Sequence, residues 1–191
     1  YGPECVKWDR HWKVNRSEIE IQKQNYNKYG ANIPLAEIPT SILEWPGQGN
    51  LYAKGKNGVF IMGRAPFIDI DSDNNYNPVH GDYPDIKGDQ AVWWIFNDDG
   101  NTHTNSGGKA IGIEVTVMAY AFDTDDALGN TTFYHYEFRK QTLGTLDSVY
   151  VGQWVDVDLG NFTDDEVRFT HGGGAGTISH LLVVGAARIS D

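Results

Sequence analysis

Along residues 110–122 (AIGIEVTVMAYAF) the chain alternates. Ile111, Ile113, Val115, Val117, Ala119 and Ala121 fall on one side, and Glu114, Thr116, Met118, Tyr120 and Phe122 on the other. That is the period of two of a strand with one face buried. Residues 131–140 (TTFYHYEFRK) alternate likewise, and residues 123–130 (DTDDALGN) between them are turn formers suited to a hairpin loop. If Phe122 faces Thr131, then Tyr120 faces Phe133, Met118 faces His135, Thr116 faces Glu137 and Glu114 faces Arg139. One face then gathers Ile, Val and Ala with Tyr134, Tyr136 and Phe138 as core. The other gathers Glu, His, Arg, Tyr and Met and is half wet. A slip by one residue would drive charges into the core, so the pattern constrains the register. The wet face is where a ligand is expected.

Shorter apolar runs predict further strands at 58–63 (GVFIMG), 91–97 (AVWWIFN) and 149–158 (VYVGQWVDVD). The beginning of the chain differs. Ser17-Glu18-Ile19-Glu20 has the form of a capping box, which predicts a helix from Glu18 to about Lys28 with Gly30 as its stop. Polar almost all round, that helix is expected on the surface. The stretch from Ile33-Pro34 to Trp45-Pro46-Gly47 predicts an extended, proline-punctuated arm. Many short strands without a strong helical period predict an all-β fold. The expected architecture is an antiparallel β-sandwich of jelly-roll type, with a short N-terminal helix and an extended arm. At 191 residues a single domain is expected. Its parts are the helix and arm (1–56), the β core (57–165) and an atypical C-terminal segment (166–191).

Charge narrows the picture. Lys plus Arg is 15 and Asp plus Glu is 26, a net charge of −11. A nucleic-acid surface needs clustered cations, so no nucleic-acid partner is expected. Of the acids 18 are Asp and 8 are Glu, and Asp belongs in turns and cation-binding loops rather than helices. No apolar run approaches the ~18 residues of a membrane span, so no membrane insertion is expected. The lone Cys5 excludes an internal disulfide framework and a cysteine zinc cluster. The start, Tyr1-Gly2-Pro3-Glu4, lacks the basic and apolar regions of a signal peptide. A secreted protein would therefore be represented here by mature or truncated sequence.

The most informative stretch is 69–82 (DIDSDNNYNPVHGD). Asp69, Asp71 and Asp73 at alternate positions of a tight loop place oxygens around one point, as the first half of an EF-hand loop does. Asn75 would add its backbone carbonyl. His80 stands where that loop has its closing glutamate, so the last carboxylate is expected from Asp82. Calcium is the expected ion, since one nearby imidazole gives little for a transition metal; a solvated acidic turn is the alternative. Asp123, Asp125 and Asp126 read as a solvated turn. Asp156 and Asp158, with Asp164 and Asp165 beyond, read as a second cation site or a solvent-facing strand end. For hydrolysis of a glycoside two carboxyls must flank the scissile bond. Glu114 and Glu137 are the candidate catalytic pair, diagonal neighbours on the wet face, with His135, Tyr120 and Arg139 beside them to bind substrate. A Glu114–Arg139 cross-strand salt bridge is the structural alternative. Trp93, Trp94 and Trp154 could stack on sugar rings or fill a core.

Several of these stretches resemble one family. They are GPECVKWDRHWKV (2–14), IDIDSDNNYNPVHGDYPDIKGDQAVWWIFND (68–98), GNTHT (100–104), IGIEVTVMAYAF (111–122) and VGQWVDVDLGNFTDD (151–165). Together they resemble a region of large secreted Bacteroidetes proteins, cargo of the type IX secretion system that carries a C-terminal sorting domain. The resemblance implies a secreted bacterial β domain that binds calcium, and it brings no catalytic residue with it. After Asp165 the text departs from that pattern, through Glu166-Val167-Arg168-Phe169 and His171-Gly172-Gly173-Gly174. A truncated or frame-altered piece of a longer protein is expected on that ground. The functional expectation is a secreted, calcium-binding protein acting on polysaccharide as a glycoside hydrolase. A non-catalytic carbohydrate-binding, adhesion or structural module is the alternative.

Overall fold

The computed structural model describes residues 3–147, apart from 60, 62 and 101, together with the strand 187–190. Residues 1–142 with 183–191 form one compact unit, and 143–182 form another. Of the second, residues 143–147 are described. The strand expected at 149–158, Trp154 and the acids 156, 158, 164 and 165 lie outside the described residues.

The chain begins with a short helix α1 (Pro3–Lys7), then strand β1 (Trp12–Asn15), helix α2 (Arg16–Tyr29) and the single turn α3 (Thr40–Leu43). A two-stranded ribbon follows, β2 (Phe67–Ile68) with β3 (Tyr83–Pro84), and then the long strands β4 (Gln90–Asn97), β5 (Ile113–Ala121) and β6 (Phe133–Lys140). With β7 (Ala187–Ser190) they form a sheet in the order β1-β4-β5-β6-β7, antiparallel except where β7 runs parallel to β6. The β5–β6 register is the one that alternation predicts. Tyr120 pairs with Phe133, Met118 with His135, Thr116 with Glu137 and Glu114 with Arg139. Residues 123–130 are the exposed turn between these strands, and Asp126 caps it by accepting the Leu128 N–H at 2.9 Å.

Two expectations change. The apolar run 58–63 is not a strand at its described positions. Its backbone instead closes a tight loop through Gly55 N–H to the Val59 carbonyl (2.7 Å) and Ile61 N–H to the Ala53 carbonyl (3.3 Å). The helix starts two residues early, because Asn15 rather than Ser17 caps it. The Glu18 carboxylate accepts the Asn15 backbone N–H (2.8 Å) and side-chain amide (2.9 Å), while Glu20 pairs with Lys23. The helix lies on the surface, with Ser17, Glu20, Ile21, Gln24, Asn27 and Lys28 exposed, and packs one face inward through the buried Ile19, Gln22 and Asn25.

The expected arm is the other half of the core. Trp12 and Val14 enter the sheet on β1. Ile19, Ile33, Ile38, Ile42 and Trp45 pack from the helices and turns against Ala91, Trp93 and Met118 of the sheet. So the layer over this face is helix and loop. Among the described residues, no second large sheet packs face to face with the first, and the sheet does not close into a barrel. Met118, assigned by alternation to the half-wet face, is buried there, while Val115 and Val117 are also buried on the opposite face. The main core therefore lies on the face expected to be half wet, because the helical layer covers it, and the face expected to be core carries the buried Val115 and Val117 outside that cluster.

Trp93 centres the core. It is 1% exposed, and its ring lies 5.6 Å from Trp12, 6.3 Å from Trp45 and 6.5 Å from Trp8, all at steep angles. Such tilted pairs add favourable ring contacts to the area they bury. Arg10 and Lys54 bind the half-buried Glu44 at 2.9 and 3.1 Å, and the Trp12 indole N–H donates to the Lys54 carbonyl. Burial works against the Glu44 charge, but its bonds to Arg10 and Lys54 outweigh it and hold the carboxyl below its usual range.

Trp93→Ala should cost about 3–5 kcal/mol of stability, read as a fall in the denaturant midpoint. Glu44 gives a pH test. Its folded-state value is depressed, so its contribution is present above the ordinary 4.5 and is lost as pH falls from there through the folded value. Denaturation at pH 7 and pH 3.5 should show a smaller acid loss in Glu44→Gln than in the parent protein.

Candidate metal loop and neighbouring cleft

The acidic loop is the closed end of the β2–β3 ribbon. Phe67 pairs with Pro84 and Ile68 with Tyr83, so Asp69 follows directly on one strand and Asp82 directly precedes the other. Asp82 is fully buried and both its oxygens are engaged. Oδ1 accepts the Ile70 N–H at 2.8 Å and Oδ2 the Asn77 N–H at 2.7 Å. Burial pushes its carboxyl upward, the Asn77 and Ile70 N–H groups oppose that, and the charges of Asp71 and Asp69 add to the rise. Gly81 makes the turn into Asp82 possible. Its φ is +105°, and a Cβ there would lie 2.3 Å from the Tyr26 ring.

The rest of the loop is tied to the helical layer. Tyr76 is buried, and its hydroxyl donates to the Ile42 carbonyl at 2.7 Å. The buried Gln22 amide donates to the Pro78 and Asp82 carbonyls at 2.7 and 3.1 Å. Asp69 accepts the N–H groups of Ser72 and Asn74, both at 2.8 Å. Ser72 and Asn74 have positive φ, 62° and 64°. Counting from Asp69, Asn74 is the sixth residue, where an EF-hand loop has its sharp turn.

Asp69, Asp71 and Asp82 each offer an oxygen, and the three lie within 4.8 Å of one another, a group that could hold a metal ion. Oxygens about 2.3–2.6 Å from one calcium ion lie no farther apart than about 5 Å. One expected ligand behaves differently. Asp73 is not in the group, and its Oδ1 accepts the Asn75 N–H at 2.7 Å. The Asn75 side chain donates back to the Asp73 carbonyl at 3.1 Å, so the two close their own turn. His80 binds Asp71 at 2.7 Å and holds that carboxyl below its usual range.

The expected catalytic pair shares a face, as the register requires, but the two acids have different surroundings. Glu114 Oε1 receives Arg64 at 2.9 Å and the Gln141 amide at 3.1 Å, so this carboxylate is a strut between the 64 loop and the sheet. Arg139 lies 3.6 Å from Glu137. The expected Glu114–Arg139 bridge is thus replaced by two others. Tyr120 stacks on Phe133 at 5.3 Å and meets Phe122 edge-on.

Beside these residues an open cleft of about 170 Å³ is lined by Pro66, Asp85, Lys87, Trp93, Thr116, Met118, His135 and Glu137, with Val117. Of the five wet-face candidates it takes in His135 and Glu137, while Glu114, Tyr120 and Arg139 lie outside its lining. Asp85 and Lys87 carry no signal in sequence beyond standing just after the acidic loop. Trp93 is core, and Trp94 is half-exposed beside His11 at 5.3 Å.

Compared with models of protein families, with curated proteins and with solved structures, the chain matches none.

Asparagine substitutions separate structure from charge in this loop. Asp82→Asn sets an amide against a backbone N–H and should destabilise the protein in chelator by about 1–3 kcal/mol. Asp71→Asn keeps an acceptor for His80 and should leave the chelated protein within a few tenths of a kcal/mol of the parent.

Proposed function

We propose that the protein is a secreted bacterial β domain whose acidic loop binds Ca²⁺ and whose cleft at Thr116, His135 and Glu137 engages polysaccharide, as a binding module rather than a catalyst. The observation that carries the cation part is the convergence of Asp69 and Asp71 on the buried, charge-burdened Asp82. Hard carboxylate oxygens with no thiolate favour calcium over transition metals. The resemblance to secreted Bacteroidetes proteins supports the extracellular setting, where calcium is plentiful. A β-sandwich of jelly-roll type is the fold we infer for the complete domain. The apolar second face of the sheet, with Val115, Val117, Tyr136 and Phe138, supports that fold because it suits a second layer.

Glycan is the ligand class that the cleft chemistry favours: acceptors, donors and an imidazole around an apolar floor. The non-catalytic reading is preferred because Glu114 is committed to Arg64 and Gln141. Hydrolysis remains the second reading, favoured by Glu137 and His135 sharing one cleft.

Two measurements test this. Melting with Ca²⁺ at a hundred times its Kd should stabilise the protein by about 2.7 kcal/mol over chelator, since the ion binds only the folded loop. On a polysaccharide panel the domain should bind at least one polymer and release no reducing sugar. Release of sugar that Glu137→Gln abolishes would establish the hydrolase instead. No stabilisation by Ca²⁺ and no binding would overturn the proposal.

A further inference from the structure

The cleft has a length, a floor and a charge pattern, and together they restrict what it can hold. Along the sheet it spans two rungs, Met118–His135 and Thr116–Glu137. Two rungs are about 7 Å of strand. The rung on one side is the stacked Tyr120–Phe133 pair, and the rung on the other is Glu114–Arg139, with Glu114 fastened to Arg64. Its volume of about 170 Å³ is well below the roughly 300–1,000 Å³ of pockets that enclose drug-sized ligands. At its base lie the edges of Trp93 and Met118, which are 1% and 5% exposed. One wall brings Asp85 and Lys87, which are exposed and have no bonded side-chain partner among the described residues. The opposite wall brings Thr116, His135 and Glu137.

Such a site suits a small ring with one apolar face and a hydroxyl-bearing rim. Carboxylates on both walls accept hydroxyl protons, while Lys87 and Thr116 donate. With two carboxylates against the one Lys87 ammonium, the lining keeps a negative balance that opposes an anionic ring. We propose that the cleft seats one uncharged sugar ring, the terminal residue of a glycan chain, with Asp85 and Lys87 as binding residues alongside Glu137. This rests on the glycan-binding reading and adds to it that a chain end, not a chain interior, is recognised.

Competition calorimetry in Ca²⁺ tests it. The probes are a polysaccharide that the domain binds, its oligosaccharides of two to six units, and the methyl glycosides of glucose, galactose, mannose, xylose and glucuronic acid. A neutral methyl glycoside should displace the polymer, and affinity should change less than threefold between two and six units. Asp85→Asn and Lys87→Ala, both at exposed positions, should each weaken binding at least tenfold with an unchanged melting temperature. Affinity that climbs with chain length while no methyl glycoside competes would overturn the chain-end proposal and leave glycan binding standing. So would variants that bind like the parent. Failure to bind any polysaccharide would remove the glycan reading itself.

Discussion

A carboxylate without solvent is the constraint around which this molecule is arranged. Removing a charge from water is costly unless dipoles or counter-charges replace the lost hydration. At Asp82 the replacement is two backbone N–H groups, from Ile70 on one limb of the loop and Asn77 on the other. The side chain thereby closes the 69–82 loop at the mouth of its ribbon. Two further carboxylates sit next to it, Asp69 with the Ser72 and Asn74 N–H groups and Asp71 with His80, so three acidic groups share one small space. The arrangement is self-consistent for a divalent ion, whose charge removes the repulsion.

The loop is held from outside as well as from within. Gln22 reaches from the second helix to the carbonyls of Pro78 and Asp82, and the Tyr76 hydroxyl reaches the Ile42 carbonyl. Arg16, at the start of that helix, donates to the carbonyls of Ile86 and Gly88 beyond the ribbon. These contacts explain how a helix with so few apolar residues packs one face inward. Its inward face carries Gln22 and Asn25, whose amides serve carbonyls of the loops beneath. Polar burial of this kind is tolerated when the bonds are made, as they are for both amide nitrogens, while the buried Gln22 Oε1 has no partner among the described residues.

How much of this was legible depended on whether the pattern was local. Alternation over ten or more residues settled the β5–β6 pairing to the residue, since any slip would have exposed apolar side chains. The convergence of Asp69, Asp71 and Asp82 was legible too, because loop ligands at short spacing bring themselves together. Asp73 was not, because an aspartate can equally cap its own turn, as it does with Asn75. The strand at Trp12–Asn15 escaped notice. Four residues are too few to show a period, and their place in the sheet is set by pairing with Gln90–Trp93 far along the chain. Arg64 as partner of Glu114 was hidden likewise, since nothing local to either residue announces a contact 50 positions away. The cleft wall from Asp85 and Lys87 has the same origin.

Asp69, Asp71 and Asp82 stand close enough to share one cation. A crystal structure of the protein grown in Ca²⁺ tests it most directly. Density for one ion is expected at about 2.3–2.6 Å from oxygens of Asp69, Asp71 and Asp82. Carboxylates surrounded by water alone, with no ion between them in saturating Ca²⁺, would contradict it.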